Sequence, residues 1–222
     1  NYLLSKNITT ALFNAMMAWR ADLTARWDKK KKSLWEAIIA VEKFAEWGAL
    51  EDWELLILPN GKPAIELSFS LHAANGYKHY GHVDIVLKNI YSGKLAILEL
   101  KTEGGEEPEE AKYANSSQAV GYGVCLDAIF PGLTDYTVLY AVYSASSRKW
   151  NLLPFDKTML HKAEWVKDLL LDHGTMSTYE QLRFYPKRGE SCYDFRRRCE
   201  FFGECNLVPD DKLPVLAAEL EA

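Results

Sequence analysis

Two carboxylates and a lysine are spaced in this sequence so that they could meet at one place on a small sheet. Asp84 follows the run Gly-His-Val, and Glu99 is separated from Lys101 by a single leucine. Side chains alternate along a strand, so Glu99 and Lys101 share one face of their strand, and Asp84 shares a face with His82. If a turn at residues 90–94 joins the two strands, these groups converge. An exposed strand face with an ordinary Glu–Lys pair is the alternative.

Converging carboxylates predict a bound cation, because two negative charges at one spot repel each other unless a cation lies between them. Carboxylate oxygens are hard ligands of the kind that Mg²⁺ or Mn²⁺ prefers. A lysine beside such a site could orient or deprotonate a metal-bound water and stabilise charge on a phosphate. The pattern therefore indicates metal-assisted phosphate chemistry.

The elements that would position these residues follow from hydrophobic periodicity and from helix and strand breakers. Ser33 is expected as a helix N-cap with Glu36 as its capping-box partner, and Gly48 as the end of that helix. Helices are predicted over residues 7–27, 33–47, 111–129 and 158–171, and strands over residues 54–58, 64–71, 81–87, 95–101, 135–145 and 149–153. This order predicts an α/β domain with a mixed central sheet flanked by helices.

Alternation also predicts which strand residues face the core. Val83 and Ile85 are expected to share the core face of one strand. Leu98 and Leu100 are expected on the core face of the next strand. The acidic residues would then occupy the opposite face of both strands.

The chain as a whole has the composition of a globular protein. It has 222 residues, of which 48% are hydrophobic and 26% charged, which suits one domain. No apolar run approaches the roughly 20 residues of a membrane helix. No secretory signal is visible, so a cytoplasmic location is expected.

The charge distribution leaves the choice of partner open. The formal net charge of −5 does not favour a nucleic-acid binder, but phosphate contact depends on where the basic residues lie. One basic cluster combines Arg26 with the lysines at 29–32, and another extends from Arg183 to Arg198. Each cluster fits either a solvated surface or contact with phosphates. The acidic segment 103–110 contains glycine and proline, and is expected as an exposed, mobile loop.

Three of the four cysteines, Cys192, Cys199 and Cys205, lie close together near the end of the chain. Without a secretory signal, metal binding or free thiols are favoured over disulfides. The short Cys-x-x-Cys pairs of zinc ribbons are absent. Cys125 falls within a predicted helix and is expected in the core as a small hydrophobic residue.

Residues 66–122 resemble the RecB-like branch of the PD-(D/E)XK nuclease superfamily. That branch includes RecB and AddB nuclease domains, CRISPR-associated RecB-like exonucleases and many phage proteins. Its pattern is Gly-x-x-Asp, a hairpin, Glu-x-Lys often followed by Thr, and a helix with Gln-x-x-x-Tyr. The matching residues of this chain are Asp84, Glu99, Lys101, Gln118 and Tyr122. Gln118 and Tyr122 are four apart on one helix face, and by resemblance would support the site or touch DNA.

The resemblance implies a restriction-endonuclease-like core and a metal-dependent deoxyribonuclease, expected to be an exonuclease in recombination, repair or phage DNA processing. Asp84 and Glu99 would bind one or two Mg²⁺ or Mn²⁺ ions, with the backbone carbonyl of Leu100 as a further ligand. Lys101 would be the catalytic lysine. The expected partner is DNA, either single-stranded or at duplex ends, with a recombination or phage protein as a further partner.

One departure from the family pattern concerns the helix before the sheet, where the family often has a histidine. This chain has Trp35 at that place, which cannot bind metal, followed by Glu36. Glu36 is expected either as a capping or surface residue or as a metal ligand, with Glu42 as a weaker alternative. His82 could replace the missing ligand or support the site through a hydrogen bond. Glu66 lies in a segment that matches a strand of the family pattern, but the resemblance gives this residue no defined role.

A second departure concerns the cysteines. Several RecB-like nucleases hold an iron–sulfur cluster with one upstream cysteine and three near the C-terminus, and Cys192, Cys199 and Cys205 resemble the latter. No cysteine precedes Cys125 in this chain, so a cluster, a zinc site and free thiols all stay open. The predicted organisation is a single nuclease domain over residues 1–222, with residues 175–222 as a Cys-containing extension.

Two other functions compete with an active nuclease. One is a binding module of the same fold, which holds DNA or a protein but cuts little or nothing. The other is an unrelated α/β enzyme in which the Glu-x-Lys motif is accidental. An assay of Mg²⁺- or Mn²⁺-dependent cleavage of labelled DNA would distinguish the binding module from the active nuclease.

Overall fold

A sheet of six strands lies at the centre of the computed structural model, which describes residues 2–21, 33–72, 76–131 and 135–186. The helices are α1 (Tyr2–Ser5), α2 (Ile8–Ala21), α3 (Leu34–Glu46), α4 (Glu110–Ala114), α5 (Ser117–Ile129) and α6 (Met159–Leu182). The strands are β1 (Trp53–Leu55), β2 (Ile65–His72), β3 (Lys78–Asn89), β4 (Leu95–Glu103), β5 (Tyr136–Ser144) and β6 (Lys149–Lys157). Outside the described residues lie the lysines at 29–32, most of the second basic cluster, and Cys192, Cys199 and Cys205.

The strands are arranged in the order β1-β3-β4-β5-β6, and β2 also pairs with β3. β4 and β5 run parallel, and every other pairing in the sheet is antiparallel. A parallel pair needs a long crossover, which α4 and α5 supply between these two strands. These observations confirm the predicted α/β class with a mixed sheet flanked by helices.

Both faces of the sheet are buried, which corrects the expectation of a single core face. On one face, Val83 and Val86 pack in a cluster with Tyr122 of α5. On the other face, Ile85 and Leu98 pack in a cluster that Phe44 of α3 covers. Val83 and Ile85 therefore belong to opposite cores, although simple alternation places them together. We refer below to the α5 face and the α3 face.

The helix boundaries follow local capping chemistry. Ser33 caps α3 as predicted, because its hydroxyl accepts a hydrogen bond from the backbone N–H of Glu36 at 3.2 Å. Gly48 follows the helix with a φ of +70°, a conformation that glycine adopts without strain. The predicted helix over 111–129 is divided into α4 and α5, with Ser116 as the N-cap residue of α5.

The acidic segment between β4 and α4 is exposed, as expected, but it is held at two points. The Ser146 hydroxyl donates to the carbonyl of Gly104 at 2.6 Å, and the Ser147 hydroxyl donates to the carbonyl of Glu106 at 2.8 Å. The turn between β5 and β6 therefore fixes this loop.

The chain divides into two compact units, Asn1–Leu170 and Leu171–Ala222. The whole sheet belongs to the first unit. In the second, the described residues continue α6 and end it, where the N–H of Phe184 donates to the carbonyl of Tyr179 at 3.1 Å. Helix α6 is longer than the predicted 158–171. No helix among the described residues is long and apolar enough to cross a membrane.

Candidate active site

The predicted carboxylates lie where β3 and β4 stop pairing. The registered pairs between these strands run from Lys88–Leu95 to Ile85–Leu98. Continuing that register by one residue would set Asp84 opposite Glu99. Beyond Leu98, β4 pairs with β5 through residue 103. Asp84 and Glu99 therefore occupy the point where the two strands part.

Glu99 is buried and only partly satisfied. It is 2% exposed, and its Oε1 accepts an ion-pair hydrogen bond from Lys101 Nζ at 2.6 Å. Its Oε2 is also buried and has no hydrogen-bond partner. Burial raises the pKa of Glu99 because desolvation disfavours the charged form, and the nearby charge of Asp84 acts in the same direction. Lys101 lowers this pKa but does not cancel the rise.

Lys101 connects the carboxylates to an open cleft. Its side chain is 37% exposed. The cleft beside it measures about 620 Å³ and is bordered by Gly104, Lys112, Ser116 and Tyr140. It lies by the carboxyl end of the parallel strand β4 and the N-terminus of α5, a position where open α/β sheets commonly bind ligands. A substrate in this cleft could reach the ammonium group of Lys101.

Helix α5 brings Gln118 and Tyr122 to the same place. The amide nitrogen of Gln118 donates to the Tyr122 hydroxyl at 2.6 Å. Burial raises the pKa of Tyr122 to about 12, and the charges of Glu99 and Asp84 add to the rise. The two residues thus share one helix face, as their spacing predicts, and the phenol lies within electrostatic reach of both carboxylates.

Tyr140 is a site residue that the motifs do not reveal. It pairs with Glu99 across the parallel strands and is 1% exposed. Burial raises the pKa of its hydroxyl, which has no hydrogen bond of regular geometry although Ser116 and Glu99 lie near it. The strong apolar run of β5 predicts a buried strand. Its parallel pairing with β4 depends on the crossover through α4 and α5, and the spacing of residues does not predict that pairing.

A backbone distortion accompanies Asp84. Glu66 has a φ of +50°, in the left-handed region that residues with a side chain rarely adopt. It lies between Ile65 and Leu67, which pair with Ile85 and Val83 respectively, so it falls opposite Asp84. The distortion coincides with the change of face between Val83 and Ile85. It explains why strict alternation fails at this point of β3.

The side chains of three other predicted site residues have separate contacts. The exposed His82 makes a hydrogen bond between its Nδ1 and the Ser68 hydroxyl at 3.0 Å. Glu36 lies on the α3 face, where its Oε1 accepts a hydrogen bond from Arg148 Nη2 at 2.5 Å. The Leu100 side chain is 41% exposed and lines an apolar groove on that face.

The residues present fit a hard divalent cation with few protein ligands. The Oε2 of Glu99 is buried without a hydrogen-bond partner, and the carboxyl group of Asp84 lies beside the same residue. Among the residues that the structure describes, no group of three or more His, Cys, Asp or Glu side chains could hold a metal ion. Mg²⁺ is commonly bound through one or two carboxylates and keeps several waters, so a pair of carboxylates suffices.

Cys125 is a free thiol in the core, as expected. It is 2% exposed, and burial raises its pKa to about 12. A thiol of this kind is an inert packing group.

Comparisons with known proteins add no identification. No protein-family model and no curated protein matches the chain. One solved structure, described as "Crystal structure of SSO0001", is similar over 89% of this chain and 77% of that chain, with 13% sequence identity and a TM-score of 0.39. A similarity of this size carries no argument about fold or activity.

Proposed function

We propose that this protein is a metal-dependent nuclease of the PD-(D/E)XK type with a restriction-endonuclease-like core. The supporting observation is the cluster on the α5 face at the point where β3 and β4 part. There Glu99 is buried, lies within electrostatic reach of Asp84, and keeps one oxygen without a donor. A buried carboxylate is costly unless a counter-charge accompanies it, and a divalent cation is a stronger counter-charge than Lys101 alone.

The positions of Asp84, Glu99, Lys101, Gln118 and Tyr122 support the roles that the resemblance implies. Asp84 and Glu99 would hold Mg²⁺ or Mn²⁺, with the Leu100 carbonyl as a further ligand. The ion would activate water and stabilise the negative charge that develops on the phosphate. Lys101, released from Glu99, would donate a hydrogen bond that orients the attacking water, and its ammonium group would face the phosphate from the cleft. Gln118 would hold the Tyr122 hydroxyl toward the carboxylates.

The test is cleavage of labelled single-stranded and duplex DNA with Mg²⁺ or Mn²⁺, and with EDTA instead. Lys101→Ala should lower the cleavage rate by about 10²–10³-fold, because it removes the ammonium group that orients the water and stabilises charge on the phosphate. The matched control is Lys94→Ala, which changes an exposed lysine in the turn between β3 and β4. Its rate should equal that of the wild type. Equal rates for Lys101→Ala and wild type would refute the proposal.

A DNA-binding module of the same fold is the second candidate. The ion pair between Lys101 and Glu99 favours it, because the ammonium group at 2.6 Å already neutralises the carboxylate without a metal ion. In this case DNA would bind without metal-dependent cleavage at any concentration of Mg²⁺ or Mn²⁺. The same assay therefore decides between the two candidates.

A further inference from the structure

The N-terminus of α5 lies at the edge of the cleft that Lys101 borders. Ser116 is the N-cap residue of this helix of 13 residues, and it also borders the cleft. A serine at an N-cap commonly accepts a hydrogen bond from an N–H of the first turn, but the Ser116 hydroxyl makes no such bond. The N–H groups of the first turn therefore lack the acceptor that a capping side chain would supply. Their partial positive charge favours an anion at this place.

The hydroxyl of Tyr140 is a second donor without an acceptor. Tyr140 borders the same cleft but is only 1% exposed. In the described part of the chain its hydroxyl has no hydrogen bond of regular geometry, although Ser116 lies near it. Burial raises the pKa of this hydroxyl, so it keeps its proton and can donate it to a hydrogen bond. A buried donor without an acceptor costs stability, which a phenylalanine at this position would avoid.

An anion at the start of α5 would satisfy both kinds of donor. It would accept hydrogen bonds from the first-turn N–H groups and from the Ser116 hydroxyl. A hydroxyl that donates its proton keeps its lone pairs, so Ser116 would then accept a hydrogen bond from Tyr140. The buried phenol would act through Ser116 and would not need to reach the cleft itself.

The charged groups around the cleft favour a phosphate as this anion. Lys101 and Lys112 both border the cleft, and each ammonium group has three N–H donors, more than its bond to a glutamate uses. Glu103 is the acidic residue among the described residues that line the cleft. Its Oε1 already accepts hydrogen bonds from Lys112 at 2.6 Å and from Tyr113 at 2.5 Å. Ammonium, hydroxyl and backbone N–H groups are the donors that hold phosphate oxygens in complexes with nucleic acids.

We propose that the start of α5 forms a subsite for a second phosphate group of the substrate strand, beside the group that Lys101 faces. This inference rests on the proposed nuclease function, which it extends by residues that hold the substrate. The N–H of Ser117, the Ser116 hydroxyl and the Lys112 ammonium group bind the phosphate. Tyr140 positions the Ser116 hydroxyl. The phosphate is internal to the strand or lies at its end, since both present the same kind of oxygen to these donors.

A single substitution can remove one backbone donor from this subsite. Ser117→Pro deletes the N–H of the first residue of α5, where proline fits because this N–H has no partner within the helix. Ser116 has a ψ of 118°, in the extended region that a residue before proline prefers. Ser117→Ala is the matched control, because it changes the same exposed side chain and retains the N–H.

The first measurement is the rise of the thermal unfolding midpoint of the full chain with inorganic phosphate, in EDTA and at constant ionic strength. Ser117→Pro should weaken phosphate binding about tenfold, because a hydrogen bond to a charged group is lost. Its midpoint without phosphate should not fall below that of the wild type. Ser117→Ala should bind as the wild type does. If Ser117→Pro lowers the phosphate-free midpoint, Ser116→Ala replaces it and should show a similar loss of affinity.

Tyr140→Phe tests the positioning role of the buried phenol. It should weaken phosphate binding about fivefold, because Ser116 loses the donor that orients it. The midpoint without phosphate should not fall, since the hydroxyl has no acceptor in the free protein. A lower phosphate-free midpoint with unchanged phosphate affinity would show that the hydroxyl is purely structural.

Short single strands of DNA with and without a terminal phosphate identify the group that binds. A loss of affinity in Ser117→Pro for both strands assigns the subsite to an internal phosphate. A loss for the phosphorylated strand alone assigns it to the strand end. No loss for either strand would overturn the assignment to the substrate.

Two further results would overturn the subsite. One is an affinity of Ser117→Pro for phosphate within about twofold of the wild type, since a lost charged hydrogen bond exceeds this factor. The other is a rise of the midpoint that is equal in all variants, which is a general effect of the salt. Cleavage by the wild type in Mg²⁺ or Mn²⁺ would then retain the nuclease alone. Phosphate binding that depends on the Ser117 N–H, without any cleavage, would refute the nuclease and retain the subsite.

Discussion

Glu99 shows how a site can be built at the expense of stability. Its carboxylate is buried at the parting of two strands, with one oxygen bound by Lys101 and the other without a donor. A structural role alone would favour an apolar side chain at this position, because the interior around β4 is otherwise hydrophobic. The burial of a half-satisfied carboxylate is therefore an argument for function.

This burial predicts a pH dependence of stability in the metal-free protein. The pKa of Glu99 is raised above its ordinary value of 4.5, chiefly by desolvation, so the folded chain binds this proton more tightly than the unfolded chain. The stability that the proton contributes is complete below the unfolded value and is lost as the pH rises through the folded one.

Glu99→Gln should abolish this loss. The variant should gain free energy of unfolding relative to wild type as the pH rises from about 4.5 to neutrality, measured by urea denaturation in EDTA. The control is Glu54→Gln, which changes an exposed glutamate that lies 3.9 Å from Lys88. The free energy of unfolding of Glu54→Gln should stay within about 0.5 kcal/mol of the wild-type value at every pH. If the difference in free energy of unfolding between Glu99→Gln and wild type does not change with pH, burial does not raise the pKa of Glu99.

The elements that carry the site depend on close contacts that leave no room for a side chain. Gly123 in α5 faces the ring of Tyr136, which is 2% exposed, and a Cβ at Gly123 would overlap this ring. The Tyr136 hydroxyl donates to the carbonyl of Ala119 at 3.3 Å, so the ring is held against α5. This contact sets the distance between the helix and β5.

Gly123→Ala should therefore destabilise the protein, although alanine favours helices. We expect a loss of about 1–3 kcal/mol, because the ring and the helix must move apart. Gly174→Ala is the control with the opposite sign. Gly174 lies in α6 with nothing within 4 Å of its added Cβ, so the change should raise stability by about 0.5–1 kcal/mol. Thermal or urea unfolding measures the stability of both variants. If Gly123→Ala and Gly174→Ala change the stability equally, the contact with Tyr136 does not restrict position 123.

The sequence predicts the helices and strands better than it predicts which side of the sheet each strand residue faces. The order of helices and strands, the Ser33 cap and the shared helix face of Gln118 and Tyr122 all follow from local patterns. The assignment of Val83 and Ile85 to one core fails because the left-handed Glu66 distorts β2 opposite Asp84. Alternation assumes a regular strand, and a local distortion of the partner strand leaves no hydrophobic signature.

Local patterns likewise predict three of the site residues but not Tyr140. Asp84, Glu99 and Lys101 are close in sequence and joined by a hairpin, so spacing predicts their convergence. Tyr140 reaches Glu99 through a parallel pairing that depends on the crossover of α4 and α5. Contacts of this kind depend on the path of the whole chain and cannot be deduced from a motif.

For the whole molecule, the site joins elements that are distant in sequence. Asp84 lies in β3, Glu99 in β4 and Tyr122 in α5, and all three belong to the unit Asn1–Leu170. A cation bound between the carboxylates exists only when these elements are assembled. Its binding free energy must therefore appear as stability of the unit as a whole.

Mg²⁺ or Mn²⁺ should accordingly raise the midpoint of thermal unfolding. At a concentration about 100 times the dissociation constant, the gain is about 2.7 kcal/mol, or roughly 5–10 °C for a unit of this size. Glu99→Gln should lose this response, since an amide neutralises no charge, whereas Glu54→Gln should keep it. The measurement is calorimetry with and without the cation, and it needs no nucleic acid. A response that survives in Glu99→Gln would place the cation elsewhere, while a response that disappears ties the buried carboxylate to metal binding independently of any cleavage.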